Sequence, residues 1–147
     1  LSLAICDVDY LKEINDEFGH QAGDRLLIEF STVIKQELRK ADLAGRYGGD
    51  EFLIILPHTD IRGAVDSMER IRNNFGATRL NFGSRFEMGS CTIGIAEFDL
   101  RIPNAEALIH LADQALYRAK QAGRNRIAVS RLPTKPMADA VTIEESP

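Results

Sequence analysis

Four carboxylates at the ends of two short apolar runs are the residues of this chain best suited to chemistry. Asp7 and Asp9 close the opening run of Leu, Ile and Val, while Asp50 and Glu51 directly follow the pair Gly48-Gly49. Carboxylates held close together repel one another unless a cation lies between them, and all-oxygen ligands select a hard ion such as Mg²⁺. No cluster of His or Cys offers zinc a site. The four acids therefore favour a divalent-cation site, provided that the fold brings the two runs together.

The stretch from Arg39 to Pro57 predicts the β-hairpin that would bring them together. A Gly-Gly pair between two strand-like runs is a turn signal, because glycine reaches φ > 0 without steric cost. If the hairpin pairs beside the opening strand, its tip lies with Asp50 near Asp7. The alternative is a polar hairpin tip kept soluble by two acids, which is the commoner case for an isolated Gly-Gly-acid-acid tetrapeptide.

Hydrophobic periodicity predicts one α/β domain that positions these acids. With 147 residues and 44% hydrophobic content, the chain suits a single core over 1–130, followed by an irregular tail or linker over 131–147. The predicted order is an α/β (α+β) sandwich with a mixed central sheet flanked by helices. Its elements are a buried strand over 1–8, helices over 10–18 and 21–40, the hairpin, a helix capped by Thr59 or Asp60, a small turn or hairpin over 79–86, a buried strand over 89–97, a helix capped by Asn104 and ended by Gly123, and a strand over 126–130.

Composition and charge argue against several classes of partner. The net charge is −4 and the basic residues are scattered, so we expect no nucleic-acid polymer, which needs a basic stripe. No apolar run reaches the roughly eighteen residues that cross a bilayer, and no targeting segment opens the chain. Cys6 and Cys91 lie in apolar runs without metal-ligand spacing. We expect buried, reduced thiols, which fit a cytoplasmic location.

Residues 48–52 read Gly-Gly-Asp-Glu-Phe and resemble the signature of the GGDEF domain, the catalytic domain of diguanylate cyclases. The resemblance covers roughly residues 1–130, because it continues in the family's order through DVDYLKEIND at 7–16, GHQAGD at 19–24, TIGIA at 92–96 and ALYRAKQAGRN at 115–125. It implies the fold of the nucleotidyl cyclases and the polymerase palm, a relative of the ferredoxin-like fold. It also implies a reaction that joins two GTP molecules into cyclic di-GMP and releases pyrophosphate.

The resemblance assigns the acids to a metal centre with two Mg²⁺ (or Mn²⁺) ions per active site. Asp7 and Asp50 match the family's metal ligands, the backbone carbonyl of Val8 adds another, and Glu51 supports the site or binds the second ion. Asp50 and Glu51 are therefore the catalytic candidates. Two metals can hold the attacking and leaving oxygens of a phosphoryl transfer in line. Asp9 is left out of the metal set, because its alternative role is to cap the following helix.

The resemblance also implies a set of GTP-binding residues. Asn15 and Asp24 match guanine-reading positions, and a carboxylate can accept from guanine N1 and N2, whereas adenine presents an acceptor at N1. Such a site can reject the wrong base by roughly 10⁴-fold. The matched phosphate-binding positions are Lys120 and Arg124, with Lys12 as a further candidate and Gly48 and Gly49 letting the backbone approach. The alternatives are that Asp24 complements a helix dipole in its first turn and that Lys120 and Arg124 form an exposed basic last turn.

A second predicted site lies just before the hairpin turn. Arg39 and Asp42 have the RxxD form, with five residues between Asp42 and Gly48, a spacing that matches the family's inhibitory site for cyclic di-GMP. Arg70 falls where the family has a second arginine. Arginine suits this role because its planar fork meets guanine O6 and N7 and stacks on a base. The alternative is an i,i+3 surface ion pair.

The resemblance finally implies a homodimer, because each domain holds one GTP and one protomer cannot close the ring. No initiator Met opens the sequence, so we expect a fragment whose parent carries a flanking sensory or effector domain and is membrane-anchored in some cases. The competing interpretation is a catalytically silent GGDEF domain that serves as a receptor for cyclic di-GMP or GTP. Every matched metal, base and phosphate position is filled here, which favours the enzyme.

Overall fold

A strand of seven buried residues lies at the centre of the sheet. The computed structural model describes residues 1–130 and Leu132, and β1 (Ser2–Val8) pairs antiparallel with β3 (Glu51–Leu56) on one side and β6 (Cys91–Glu97) on the other. Side chains alternate along β1, so even-numbered residues 4 to 8 face one hydrophobic cluster and Leu3 and Ile5 face the other. A strand that is apolar on both faces must be covered on both faces, which requires two layers of helix.

Two edge strands complete a five-stranded mixed sheet. β2 (Leu43–Arg46) pairs antiparallel with β3, and β7 (Ile127–Ser130) pairs parallel with β6, which gives the order β2-β3-β1-β6-β7. A parallel pair needs a crossover, which α4 (Ala105–Gln121) supplies. The predicted small hairpin is confirmed as a separate two-stranded sheet of β4 (Arg79–Phe82) and β5 (Arg85–Met88).

Helices cover the two faces of the sheet, as the sandwich prediction requires. On one face, Phe30 has its ring centroid 4.7 Å from that of Phe75 and 5.2 Å from that of Phe52 in β3. On the other face, Leu116 of α4 packs in the cluster that contains Leu3 and Ile5. The predicted fold class is therefore confirmed. The three helices of the first face are α1 (Leu11–Phe18), α2 (His20–Glu37) and α3 (Ile61–Gly76).

Side-chain caps begin two of the helices where the sequence predicts them. Asp60 accepts a hydrogen bond from the Gly63 N–H at 2.9 Å and caps α3, while Asn104 accepts from the Ala107 N–H at 2.9 Å and caps α4. Thr59, the other capping candidate for α3, instead donates its hydroxyl to the Pro57 carbonyl.

Three local predictions are wrong. The long helix starts at His20 and ends at Glu37, so Asp24 lies in its second turn, beyond the reach of a first-turn dipole interaction. Asp9 does not cap α1, because Tyr10 precedes that helix in a left-handed conformation and no side chain caps it. Arg124 is not in the last turn of α4, which ends at Gln121.

The expected tail over 131–147 lies, apart from Leu132, outside the described residues. Within the described part of the chain, no helix combines the length and the apolar character needed to cross a membrane.

Candidate active site

Antiparallel pairing of β1 and β3 joins the two acidic regions. Asp7 stands opposite Glu51 in the register, and the Val8 N–H donates to the Asp50 carbonyl at 3.0 Å. This pairing follows from the apolar character of both strands, which buries them side by side. The hairpin tip therefore lies against the end of the opening strand, as the sequence predicts, and Asp7, Val8, Asp50 and Glu51 share one end of the sheet.

Asp7 is buried and is held by a lysine from the far end of the chain. Its Oδ2 accepts from Lys120 Nζ at 2.8 Å. Burial raises the pKa of Asp7 to about 6; the hydrogen bond and charge of Lys120 lower it, and the charges of Asp50 and Glu51 raise it. Burial lowers the pKa of Lys120, but its hydrogen bond to Asp7 and the nearby acids outweigh burial, so the Lys120 pKa is raised. The end of α4 thus supplies a positive charge to an acidic centre.

The donor set at this centre has the chemistry that a hard divalent cation requires. Asp7, Asp50 and Glu51 provide carboxylate oxygens and Val8 provides a backbone carbonyl beside them. Among residues 1–130 and Leu132, no three His, Cys, Asp or Glu side chains are grouped closely enough to hold a metal as they stand. Lys120 occupies an oxygen of Asp7 instead. The donors fit Mg²⁺ by type, and binding it would require these side chains to converge.

Arg46, which was not among the predicted site residues, donates hydrogen bonds to the carbonyls of the Gly-Gly turn. Arg46 Nε donates to the carbonyls of Gly48 and Gly49 at 3.2 Å each, and Arg46 Nη2 donates to Gly49 at 2.6 Å. A Cβ added at Gly48 would lie 2.9 Å from Oε2 of Glu51, so a side chain there would displace this carboxylate. The position of Arg46 at the end of β2, two residues before the turn, is the sequence signal that could have identified it.

A groove of about 420 Å³ runs from the turn to α1 and α2. Its wall includes both predicted base-reading residues, the phosphate candidate Lys12 and part of the hairpin tip: Lys12, Asn15, Asp24, Gly49 and Asp50, together with Arg46. Asn15 Oδ1 is buried without a hydrogen-bond partner, and buried polar atoms of this kind are rare unless a ligand or water completes them. The orphaned oxygen therefore fits an acceptor aimed at a ligand.

Arg124 lies beyond the end of α4, on the loop that leads to β7. Its φ is 61°, and its guanidinium carbon is 5.6 Å from the ring centroid of Tyr10, within the range of a cation–π contact. Lys120 and Arg124 are therefore not neighbours on one helical turn, although both extend from the same end of the element. Sequence reasoning missed the contact of Tyr10 with Arg124, because the two residues are far apart along the chain.

The RxxD pair lies outside the groove, between α2 and β2. Arg39 donates to Asp42 through its backbone N–H, Nε and Nη2 at 2.9–3.3 Å, and Nη2 also donates to Thr59 Oγ1 at 2.7 Å. The hydrogen bond to Asp42 raises the pKa of Arg39. Arg70 of α3 donates to Glu37 at the end of α2 at 3.3 Å. The structure thus contains the Arg39–Asp42 ion pair that the alternative interpretation describes, although the Asp42 side chain is buried, and Arg70 contacts the end of α2.

Comparisons with known proteins agree on one family. A family model described as "Diguanylate cyclase, GGDEF domain" matches residues 1–126. Diguanylate cyclase A of Treponema denticola is 37% identical over 131 residues, which is 89% of this chain and 35% of that protein. Diguanylate cyclase DosC of Escherichia coli K12 is 42% identical over 128 residues, which is 86% of this chain and 28% of that protein. The chain thus spans about a third of the length of these curated relatives.

A solved structure gives the same result at the level of fold. The crystal structure of the GGDEF domain of DgcB from Caulobacter crescentus, in complex with c-di-GMP, superposes with a TM-score of 0.83 at 31% identity and covers 87% of this chain and 76% of that chain. Together with the family match over most of the sequence, this establishes that the chain belongs to the GGDEF domain family of diguanylate cyclases.

Proposed function

We propose that this chain condenses two GTP molecules into cyclic di-GMP and two pyrophosphates. The observation that carries the proposal is the single groove that connects Asn15 and Asp24 to the hairpin tip with Asp50. A guanine base at one end of this groove directs its triphosphate towards the tip. The 3′-hydroxyl of one GTP then attacks the α-phosphate of the other, pyrophosphate leaves, and the same exchange closes the ring.

Base recognition is the role of the α1 and α2 side of the groove. Asp24 accepts hydrogen bonds from guanine N1–H and N2–H, and the unpaired Oδ1 of Asn15 supplies a second acceptor. Adenine has no N1–H donor, so it leaves these oxygens unpaired, and such a loss costs much more than a weakened contact. Lys12 is exposed at the edge of the groove, where its side chain can approach a phosphate.

The hairpin side of the groove binds the phosphates in this proposal. The backbone at Gly48 and Gly49 passes close to the triphosphate, and Lys120 and Arg124 neutralise its β- and γ-phosphates. Asp7, Asp50, Glu51 and the Val8 carbonyl are the residues that would hold two Mg²⁺ or Mn²⁺ ions. When bound, these ions would neutralise the triphosphate and hold the reacting oxygens in line. Lys120 shifts from Asp7 to phosphate in this scheme, which releases the Asp7 oxygen for the metal.

Two further parts of the proposal concern assembly and regulation. Turnover needs a homodimer in which two grooves face each other, because each domain holds one GTP. Arg39, Asp42 and Arg70 form a product-binding site, supported by the position of Arg70 against the end of α2.

The proposed location is the cytoplasm, because GTP as substrate and two free buried thiols fit that compartment. The parent protein carries further domains, as the much longer relatives suggest.

The test is turnover by the full chain. The chain is incubated with GTP and Mg²⁺ or Mn²⁺, and cyclic di-GMP and pyrophosphate are separated by chromatography. We expect both products, loss of at least about a hundredfold in rate for Asp50→Asn, and no change for the matched control Asp99→Asn, whose carboxylate is exposed and bonded to Arg101. Tight binding of cyclic di-GMP by a properly folded dimer that forms no product contradicts the cyclase and supports the receptor alternative.

A further inference from the structure

Asp9 is a buried carboxylate next to the proposed metal ligands, but its hydrogen-bond partners are other residues. Asp9 is only 4% exposed. It accepts hydrogen bonds from Ser90 Oγ and Thr92 Oγ1, each at 2.7 Å, and from the backbone N–H of Asn125 at 3.2 Å. A buried carboxylate is tolerated only where donors surround it, so Asp9 is committed to these partners. The Asn125 N–H is shared, because it also donates to Thr92 Oγ1 at 3.0 Å, and Thr92 in turn donates to Asp9. These bonds join the end of β1 to the loop after α4.

Asn125 is held from the opposite side as well. Arg72 of α3 donates through Nη1 to the Asn125 carbonyl at 3.3 Å and to its Oδ1 at 3.1 Å. Arg72 is itself fixed, because Glu69 accepts from its Nη2 at 2.8 Å and Asn73 accepts from it at 3.0 Å. The peptide of Asn125 is therefore clamped between the central sheet and α3.

This clamp holds a loop in which three consecutive residues have positive φ, one of them an arginine. Gly123, Arg124 and Asn125 have φ values of 117°, 61° and 44°. Glycine adopts positive φ readily and Asn does so more often than most residues, whereas Arg rarely does, so Arg124 is the strained position of this loop. The loop bonds also fix Arg124 itself, since its N–H donates to the Ala119 carbonyl at 3.2 Å and its carbonyl accepts from Arg126 Nε at 2.9 Å.

We infer that Asp9 and Arg72 are positioning residues that act through Asn125 to aim Arg124 at the nucleotide's terminal phosphates. This inference rests on the proposed function, because it takes Arg124 as a phosphate-binding residue. An arginine on a free loop loses conformational entropy when it binds a phosphate, and a backbone fixed beforehand reduces that loss. The strained loop is then the cost of holding a flexible side chain in place.

The test compares GTP with guanosine, which has the same base and ribose and no phosphate. Isothermal calorimetry is run on the full chain with Mg²⁺ present throughout and with 3′-deoxy-GTP as the GTP ligand, because it lacks the attacking hydroxyl and is not turned over. The thermal midpoint of each variant is recorded as well. Asp9→Asn preserves size but removes the charge and leaves one acceptor oxygen, where the carboxylate has two, for the three donors Ser90, Thr92 and Asn125. We expect GTP affinity to fall about tenfold, as for a group displaced by a fraction of an ångström, and guanosine affinity to stay unchanged.

Two variants and one control make the result specific. Arg72→Gln removes the hydrogen bonds that α3 makes to Asn125, and it is also expected to lower GTP affinity and leave guanosine affinity unchanged. The test therefore does not depend on whether Asp9→Asn folds. Arg124→Ala removes the phosphate contact directly, and adding Asp9→Asn to it is expected to cause no further loss of GTP affinity. Asp99→Asn makes the same chemical change at a carboxylate bonded to Arg101 just after β6, and is expected to bind both ligands as the wild type does.

Failures separate the two proposals. If Arg124→Ala binds GTP as tightly as the wild type, the phosphate role of Arg124 is wrong and the positioning role fails with it. If Arg124→Ala weakens GTP binding while Asp9→Asn and Arg72→Gln do not, only the positioning role is overturned. A parallel loss of GTP and guanosine affinity with a lowered thermal midpoint also overturns it, because that pattern marks a general contribution to the fold.

Discussion

The position of Asn15 Oδ1, an unpaired oxygen in the wall of the groove, depends on the absence of a side chain at Gly23. Asn15 Oδ1 has no hydrogen-bond partner, and it lies where a side chain on Gly23 would be, 1.9 Å from the position of an added Cβ. Gly23 is buried within α2 and has helical neighbours on both sides. Glycine lowers helix stability relative to alanine by about 1 kcal/mol, so its presence here trades stability for the position of Asn15.

Replacing Gly23 by alanine is therefore expected to weaken binding of guanine nucleotides without unfolding the chain. The new methyl group pushes the end of a flexible side chain, which moves easily, so the thermal midpoint changes little. Moving Asn15 misplaces an acceptor, and we expect GTP affinity measured by calorimetry to fall about tenfold while weak ATP binding stays as it was.

Gly45→Ala is the matched control, because an added Cβ at Gly45 meets no atom within 4 Å. Unchanged GTP affinity in Gly23→Ala, with Gly45→Ala also unchanged, would show that Asn15 does not read the base.

At the level of helices and strands, the hydrophobic period predicts the buried elements, because burial imposes it over many residues, whereas the exposed strand β2 is predicted by the Gly-Gly turn that follows it. The sequence places the end of α2 too late, since Leu38 adopts an extended backbone (φ −80°, ψ 144°) that no sequence pattern requires. The role of Asp9 escapes sequence reasoning for a different reason. Its partners Ser90, Thr92 and Asn125 lie 81 to 116 residues further along the chain, so no local pattern could reveal them.

In the candidate site, too, some contacts can be predicted from the sequence and others cannot. The meeting of Asp7 with the hairpin tip is predictable, because it needs only that two apolar strands pair. The hold of Arg46 on the Gly48 and Gly49 carbonyls is not, since a side chain that bonds its own turn resembles any exposed arginine in a sequence. The Lys120 contact with Asp7 depends on how α4 crosses the sheet, which periodicity does not specify.

The junction of α2, β2 and α3 carries the proposed product site, and two arginines test it. Arg39→Ala removes the side chain that holds Asp42 and Thr59, and Arg70→Ala removes the one that holds Glu37. A bidentate arginine contact with guanine contributes about 1–3 kcal/mol. We therefore expect each variant to lower affinity for cyclic di-GMP at least about tenfold in calorimetry.

Arg62→Ala, an exposed arginine on the same helix as Arg70, serves as the control for that measurement. It is expected to bind cyclic di-GMP as the wild type does. If all three variants bind it with wild-type affinity, Arg39 and Arg70 form only structural ion pairs and the product site is overturned.

For the molecule as a whole, burial in the core is expected to protect both cysteines from thiol reagents. Cys6 of β1 and Cys91 of β6 are both free and fully buried. Burial raises the pKa of each thiol, and the neighbouring acid Asp7 raises that of Cys6 further. The reactive species is the thiolate, so the folded chain presents almost none of it at neutral or mildly alkaline pH.

We expect a thiol reagent to leave both cysteines unmodified in the folded chain at about pH 8, near the ordinary pKa of a free thiol, and to modify both after denaturation. Mass spectrometry counts the adducts. The variant Ser84→Cys, on the exposed turn between β4 and β5, supplies a control thiol that should react at once. Modification of Cys6 or Cys91 at the rate of this introduced thiol would mean that the sheet opens far more readily than its packing implies.

The contact between Lys120 and Asp7 has a consequence for biosynthesis, because it joins residues 113 positions apart. Within this domain, β1 lies between β3 and β6 and cannot complete its pairing until residue 97 has been made. Long-range pairings of this kind make folding slow and leave hydrophobic strands exposed meanwhile. A nascent chain that ends before Lys120 therefore has its acids and its turn but lacks the counter-charge, so this centre is among the last parts of the domain to be assembled during translation.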